Sequence, residues 1–369
     1  MSEMPRLKIG DLEARVPIIQ GGMGVGVSLS GLASAVAKEG AIGVISSAGI
    51  GMLEPDFGKD FKEANARALR KEIRKAKETK GIIGVNIMVA LSDYDEHVDI
   101  SVEEGADLII SGAGLPLKMP ETILQGKSEK NRTKFLPIVS SGRAAELIFR
   151  YWAKHYGLVP DAVVVEGPMA GGHLGFRKEE IDDPDYALER IVPDVISVMK
   201  IYEQRYGESI PVIAAGGIFT GADTYRFLQL GASGVQMATR FVGTYECDAS
   251  MEFKEAYVRS KKEDIVIINS PVGMPGRAIR NKFLDDVNQG IKRPINCPWK
   301  CLKPCDYANS PYCIALALTN AKKGYLENGF VFAGANAYRV KEIISVKALI
   351  ETLKKEYRDV SCDKFYKSS

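Results

Sequence analysis

The chain has 369 residues, 46% of them hydrophobic, which is enough for one large α/β barrel or two ordinary domains around a sizeable core. Lysine plus arginine (49) nearly balances aspartate plus glutamate (47), and a formal charge of +2 gives no electrostatic reason to invoke nucleic acid or an anionic membrane as partner. The N-terminus, Met1-Ser2-Glu3-Met4-Pro5-Arg6, carries no basic-then-apolar leader and no apolar run approaches the ~20 residues of a membrane helix, so a cytoplasmic protein is expected.

From the N-terminus onward, short β-rich apolar runs alternate with longer helical patterns. The first strand is expected at 16–20, ahead of Gly21-Gly22-Met23, and the second at 42–45. A charged helix at 59–79 follows; its interspersed glutamates and lack of stacking aromatics mark a solvated barrel helix rather than an RNA-binding one. Strands at 82–86, 108–110 and 135–139 run into Asn86, Ser111-Gly112 and Ser140-Ser141, and a helix is expected at 144–156. The strand at 162–165 leads into Glu166-Gly-Pro-Met169-Ala-Gly171-Gly172-His173, after which come a helix at 191–206, a strand at 211–214, a helix at 220–230 and a strand at 234–237. Eight strands in strict alternation with helices predict a (β/α)₈ TIM barrel, with a doubly wound open sheet as the alternative. The barrel is expected over 1–250 and a small appended lobe over 251–369. That lobe would contain an apolar run at 265–268, a Gly-Pro turn at 271–276, a helix at 278–288, an aperiodic Cys-Pro-Lys loop at 292–311 and a terminal helix at 341–357.

Function in such a barrel gathers at the C-terminal ends of the strands, and two signals lie there. One is His173, one of three histidines in the chain, set among glycines at a strand end; imidazole is the side chain best placed to exchange a proton near neutral pH. The other is a pair of consecutive strand-end turns, Ala215-Gly216-Gly217 and Gln236-Met237-Ala238-Thr239. Their backbone N–H groups, a helix N-terminus and the Thr239 hydroxyl would hold a phosphate without any lysine. His97 and His155 fall in charged helical stretches and are expected at the surface.

Gln20-Gly21-Gly22-Met23, Asn86, Ala170-Gly171-Gly172-His173, Ala215-Gly216-Gly217-Ile218 and Gln236-Met237-Ala238-Thr239 together resemble the nitronate monooxygenase family, over about residues 15–285. The related flavin-dependent enoyl-acyl-carrier-protein reductases carry a similar histidine loop, and the stretch from Val272 to Lys282 looks like either. The resemblance implies an FMN-binding barrel. Gly22 and Met23 would lie against the ring, Asn86 at its polar edge, Gly171 and Gly172 would give it room, and Gly216, Gly217, Gln236, Met237, Ala238 and Thr239 would hold the ribityl phosphate. His173 would be the acid/base. Glu166 stands where nitronate enzymes commonly have glutamine, and Met169 where both families often have glutamate. Dehydrogenases acting on inosine monophosphate share the Ala-Gly-Gly-Ile turn but need a nucleophilic cysteine, and this loop has none.

The expected function is therefore an FMN-dependent oxidoreductase, a nitronate monooxygenase oxidising alkyl nitronates with O2. An NAD(P)H-dependent enoyl thioester reductase is the alternative, and a phosphoribosyl-ligand or metal-cluster binding barrel the non-enzymatic one. Cys297, Cys301, Cys305 and Cys313, spaced x3, x3 and x7, are candidate ligands for an iron–sulfur cluster or zinc, against the reading of free thiols in a cytosolic lobe; Cys247 and Cys362 stand apart.

Overall fold

The computed structural model describes residues 3–126, 132–293 and 296–367. A hairpin, β1 (Leu7–Ile9) and β2 (Leu12–Ala14), precedes the barrel strands β3 (Ile18–Gln20), β4 (Ile42–Ser46), β5 (Ile82–Met88), β6 (Leu108–Gly112), β7 (Lys134–Val139) and β8 (Val163–Glu166). After the two-residue β9 (Gly172–His173), the barrel is completed by β10 (Val212–Ala215) and β11 (Gly234–Met237). Parallel pairing of β11 with β3, Val235 opposite Ile18, closes the ring and rules out the open sheet. Each expected strand matches a barrel strand to within two residues.

These strands are near-continuous apolar runs because both faces are covered. One face fills the barrel interior: Ile19, Val44, Leu108, Ile110, Leu136, Val164 and Ile213 pack in one cluster with Leu7, Ile9 and Ala14 of the hairpin. The other face, with Ile18, Ile45, Val85, Val163 and Val235, packs against the helices. Buried Lys134, ion-paired with Asp11 in the hairpin turn, ties this plug to β7. The hairpin, which the sequence reading missed, thus stoppers the interior with apolar side chains.

Between the strands lie α1 (Ser30–Lys38), α2 (Phe61–Lys77), α3 (Tyr94–Glu103), α4 (Glu121–Gln125), α5 (Gly142–Tyr156), α6 (Leu188–Tyr206), α7 (Gly221–Gln229) and the one-turn α8 (Thr239–Val242). α5 illustrates the local logic. The Ser141 hydroxyl accepts the Ala144 N–H at 3.2 Å to start it, Ile148, Phe149 and Trp152 turn inward, and Gly157 ends it in the left-handed region at φ +65°.

Beyond the barrel come α9 (Met251–Arg259), β12 (Ile265–Asn269), β13 (Pro275–Ile279), α10 (Lys282–Asn288), α11 (Ile314–Lys322), β14 (Val331–Phe332) and α12 (Val346–Lys367). Two expectations change here. The helix expected from 278 begins at Lys282, because Ala278 and Ile279 are taken up as strand against Phe332 and Val331, and Asn281 caps the helix by accepting the Leu284 N–H. The terminal helix begins at Val346, because Ile344 is bridged to Thr244 at the barrel rim. α12 then packs on α7 rather than on the lobe, with Glu356 accepting the Gly221 N–H at 2.7 Å. Among the described residues no helix is long and apolar enough to cross a membrane.

Candidate active site

A cavity of about 670 Å³ opens at the C-terminal ends of the barrel strands. It is lined by every residue expected to act as acid/base or to bind the flavin: Gly22, Met23, Asn86, Glu166, Gly171, Gly172, His173, Gly216, Gly217, Gln236, Met237, Ala238 and Thr239. The turn carrying Gly22 and Met23 is pinned from behind. Fully buried Gln20 donates to the Gly21 carbonyl at 2.7 Å and accepts the Val44 N–H at 2.9 Å, while Ser28 accepts the Met23 N–H at 2.8 Å. Gln20 is therefore a staple between β3 and β4.

Two strands away round the barrel, after β10, Gly216 and Gly217 take successive positive φ values of +92° and +86°, a backbone course that side-chain-bearing residues rarely follow. Asn336 holds this turn by donating to the Gly217 carbonyl at 2.6 Å, and Thr239 accepts the Gly334 N–H at 3.1 Å, which leaves its hydroxyl proton available. Among the described residues no lysine or arginine lines the cavity. Behind the turn, however, the half-exposed Arg240 guanidinium lies over the Phe219 ring with a buried Nε that has no partner. The buried Gln236 Oε1 is likewise unpartnered. An anion held by backbone amides, with a positive charge behind them, is what this arrangement fits.

The histidine loop is held by the lobe. β9 pairs antiparallel with β13, His173 opposite Gly276 and Gly172 opposite Arg277. The buried Arg277 guanidinium donates to the carbonyls of Pro168 and Ala170 at 2.5 and 2.6 Å. The His173 Nε2 lies 2.7 Å from the Ser270 hydroxyl, and Phe332 packs edge-on against the ring at 5.1 Å. Burial pushes the His173 pKa down to about 4, so the ring is neutral at pH 7. Gly171 has a task beyond the expected one of making room for a ring. A Cβ there would fall 2.5 Å from the Ala333 carbonyl carbon and the Gly334 nitrogen, so the glycine lets the lobe backbone close on the loop.

Glu166, at the end of β8, is surrounded by protein except where it meets the cavity, and burial pushes its pKa up to about 7. Between the ordinary value of 4.5 and about 7 the folded protein keeps a proton that the unfolded chain releases, so Glu166 lowers stability as pH rises through that window. His173 acts oppositely between about 4 and 6.5, where the unfolded chain takes up a proton that the folded one refuses. In ligand-free protein, Glu166→Gln is expected to make the denaturation midpoint rise more steeply from pH 4.5 to 7 than in the wild type. Superimposable midpoint–pH curves would show that the carboxyl is not held protonated.

The structure corrects the surface placement of His97, which is 0% exposed. Its Nδ1 is 3.0 Å from the Ser47 hydroxyl and its Nε2 3.1 Å from Asp93, whose carboxylate also accepts from Asn65 at 2.8 Å. The charges of α3 belong to its other face. His155 is exposed, as expected, and stacks on Tyr151. Ser270, Arg277, Phe332, Ala333, Gly334 and Asn336 were not expected as site residues; the glycine of Phe332-Ala-Gly-Ala-Asn336 after an apolar pair was the available signal. The expectation of zinc at Cys297, Cys301, Cys305 and Cys313 finds no support, and no single iron ion is held there either, since among the described residues no three or more His, Cys, Asp or Glu side chains are placed to hold a metal ion.

The profile of the family described as "Nitronate monooxygenase" matches residues 6–356. A protein of Staphylococcus saprophyticus named "Probable nitronate monooxygenase" is 27% identical over 274 residues, 74% of this chain and 69% of that one. Among solved structures, FabK from Thermotoga maritima superposes with a TM-score of 0.72 at 29% identity, covering 96% of each chain. Nitroalkane oxidase from Streptomyces ansochromogenes superposes with a TM-score of 0.71 over 95% of this chain and 98% of that one; its 22% identity speaks to the fold alone.

Proposed function

As the chain belongs to the nitronate monooxygenase family, it is an oxidoreductase, and we propose that it is FMN-dependent and oxidises alkyl nitronates with dioxygen. The observation that carries this reading is the convergence, in one cavity, of a buried neutral histidine and two glycine-rich turns free of lysine and arginine. The flavin, when bound, supplies an acceptor for the substrate's electrons and a route for them to dioxygen. Gly22 and Met23 would flank its ring, Asn86 and Glu166 would meet its polar edge, and Gly171 and Gly172 would border it. The amides at Gly216, Gly217, Ala238 and Thr239, with Gln236 and Met237 beside them, would hold the ribityl phosphate.

His173 takes the α-proton of a neutral nitroalkane. Ser270 engages Nε2, leaving Nδ1 to meet the substrate. The nitronate formed beside the ring supplies the counter-charge that a buried imidazolium needs, so the protonated histidine then holds the nitronate oxygens. Apolar walls from Met23, Met88, Ile138, Met169 and Phe176 exclude water from the reacting carbon.

One observation favours the enoyl thioester reductase as a second reading: the likeness to FabK extends over 96% of each chain at 29% identity. The two separate in an anaerobic mixing experiment that follows flavin absorbance. Rapid bleaching by propyl-2-nitronate, with slow or no bleaching by NADH or NADPH, is the expected result. Rapid bleaching by the nicotinamide, with turnover of a crotonyl thioester, would replace the first reading by the second.

A further inference from the structure

The described residues of the segment joining α10 to α11 form almost no regular secondary structure, yet both its ends are fixed. At its base Arg293 bridges Tyr312, and Arg293 donates its N–H to the Pro311 carbonyl at 2.6 Å. At its crest Leu302 bridges Leu91 after β5, and Ser92 donates its N–H to the Cys301 carbonyl at 3.1 Å. A long aperiodic stretch held in one shape inside a compact chain needs an internal fastening.

Cys297, Cys301, Cys305 and Cys313 all line one small cavity enclosed by this segment, with Lys300, Tyr307 and Tyr312. Cys313 is also the N-cap residue of the nine-residue α11, so helix geometry fixes one end of the set. A single tetrahedral ion would require sulfurs about 3.8 Å apart, from a metal–sulfur bond of roughly 2.3 Å, and no such single-ion group exists among the described residues. A cubane cluster instead binds one thiolate at each of its iron corners, so its ligands ring a void at wider spacing. Four cysteines lining one cavity supply the four thiolates that such a cluster takes.

We propose that Cys297, Cys301, Cys305 and Cys313 bind a [4Fe–4S] cluster that fastens this segment. Cys301, Leu302, Ile314 and Ala315 line both the small cavity and the large one, so the cluster stands one residue layer from the active-site cavity. The assignment does not depend on the flavin reading, because its readout is iron and sulfide.

The test is protein purified anaerobically, reconstituted with ferrous iron and sulfide, and freed of unbound metal. About four irons and four acid-labile sulfides per chain are expected, with an iron–sulfur EPR signal after dithionite reduction that is distinct from any flavin radical. Cys301→Ser and Cys305→Ser should lose more than half of both, and Cys362→Ser should lose neither. Folded wild-type protein, verified by circular dichroism, that retains less than about one iron per chain would overturn the proposal, as would zinc without labile sulfide.

Discussion

Replacing His173 by alanine is expected to slow turnover of a neutral nitroalkane by about 10²–10⁴-fold, the usual contribution of a positioned general base. That range corresponds to roughly 3–5 kcal/mol of activation free energy. Preformed nitronate has already lost its α-proton, so its turnover should fall by less than about tenfold, the share of a single charge-assisted contact. The contrast between the two substrates carries the argument, since a variant damaged in folding or flavin binding would lose both equally. Steady-state rates with nitroethane and with freshly prepared ethylnitronate measure it, and equal losses would remove His173 from the base role. Burial pushes its pKa down to about 4, so the free-enzyme pH profile for nitroalkane should stay flat from pH 7 to about 5, whereas an exposed imidazole would titrate near 6.5.

Arg277→Leu is expected to destabilise the protein by about 2–5 kcal/mol, the cost of leaving a charged group's buried partners unpaired. The two carbonyls it serves, Pro168 and Ala170, sit in the loop that ends in His173. Leucine roughly fills the volume but supplies no donor, so both acceptors are stranded on the loop whose β9–β13 pairing orients the histidine. A lower urea midpoint should therefore accompany a loss of nitroalkane turnover that adding FMN does not restore. Arg277→Lys, which keeps a charged donor but on a shorter side chain than the one whose single Nη1 reaches both carbonyls, should recover part of the stability and less of the activity. A leucine variant with wild-type midpoint and rate would mean that water or backbone movement satisfies these carbonyls.

The barrel was legible because its strands are covered on both faces and read as short apolar runs, such as Ile42-Gly-Val-Ile45, separated by helices with one apolar stripe. The expected site residues sit at strand ends, where barrel topology forces them together, and a strand-end position can be read from order alone. His97 was misread for the opposite reason. Its neighbours Asp95 and Glu96 made the stretch look solvated, while Asp93 and His97, one helical turn apart, face inward toward Ser47 and Asn65. A local charge count does not distinguish the two faces of a helix, and only packing assigns them.

The residue pattern by itself determined the parallel eight-strand alternation, the glycine turns after β3, β8 and β10, and the strand-end position of His173, because these depend on spacing along the chain and on backbone conformations that glycine permits. The tertiary structure alone decided what surrounds them. Ser270, Arg277 and Phe332 reach the histidine loop from about a hundred residues or more away in sequence, and a contact at that separation depends on how the lobe's sheet folds back over the barrel mouth. The pKa of about 4 at His173 and of about 7 at Glu166 follow from that covering, since desolvation belongs to the assembled cavity rather than to either side chain.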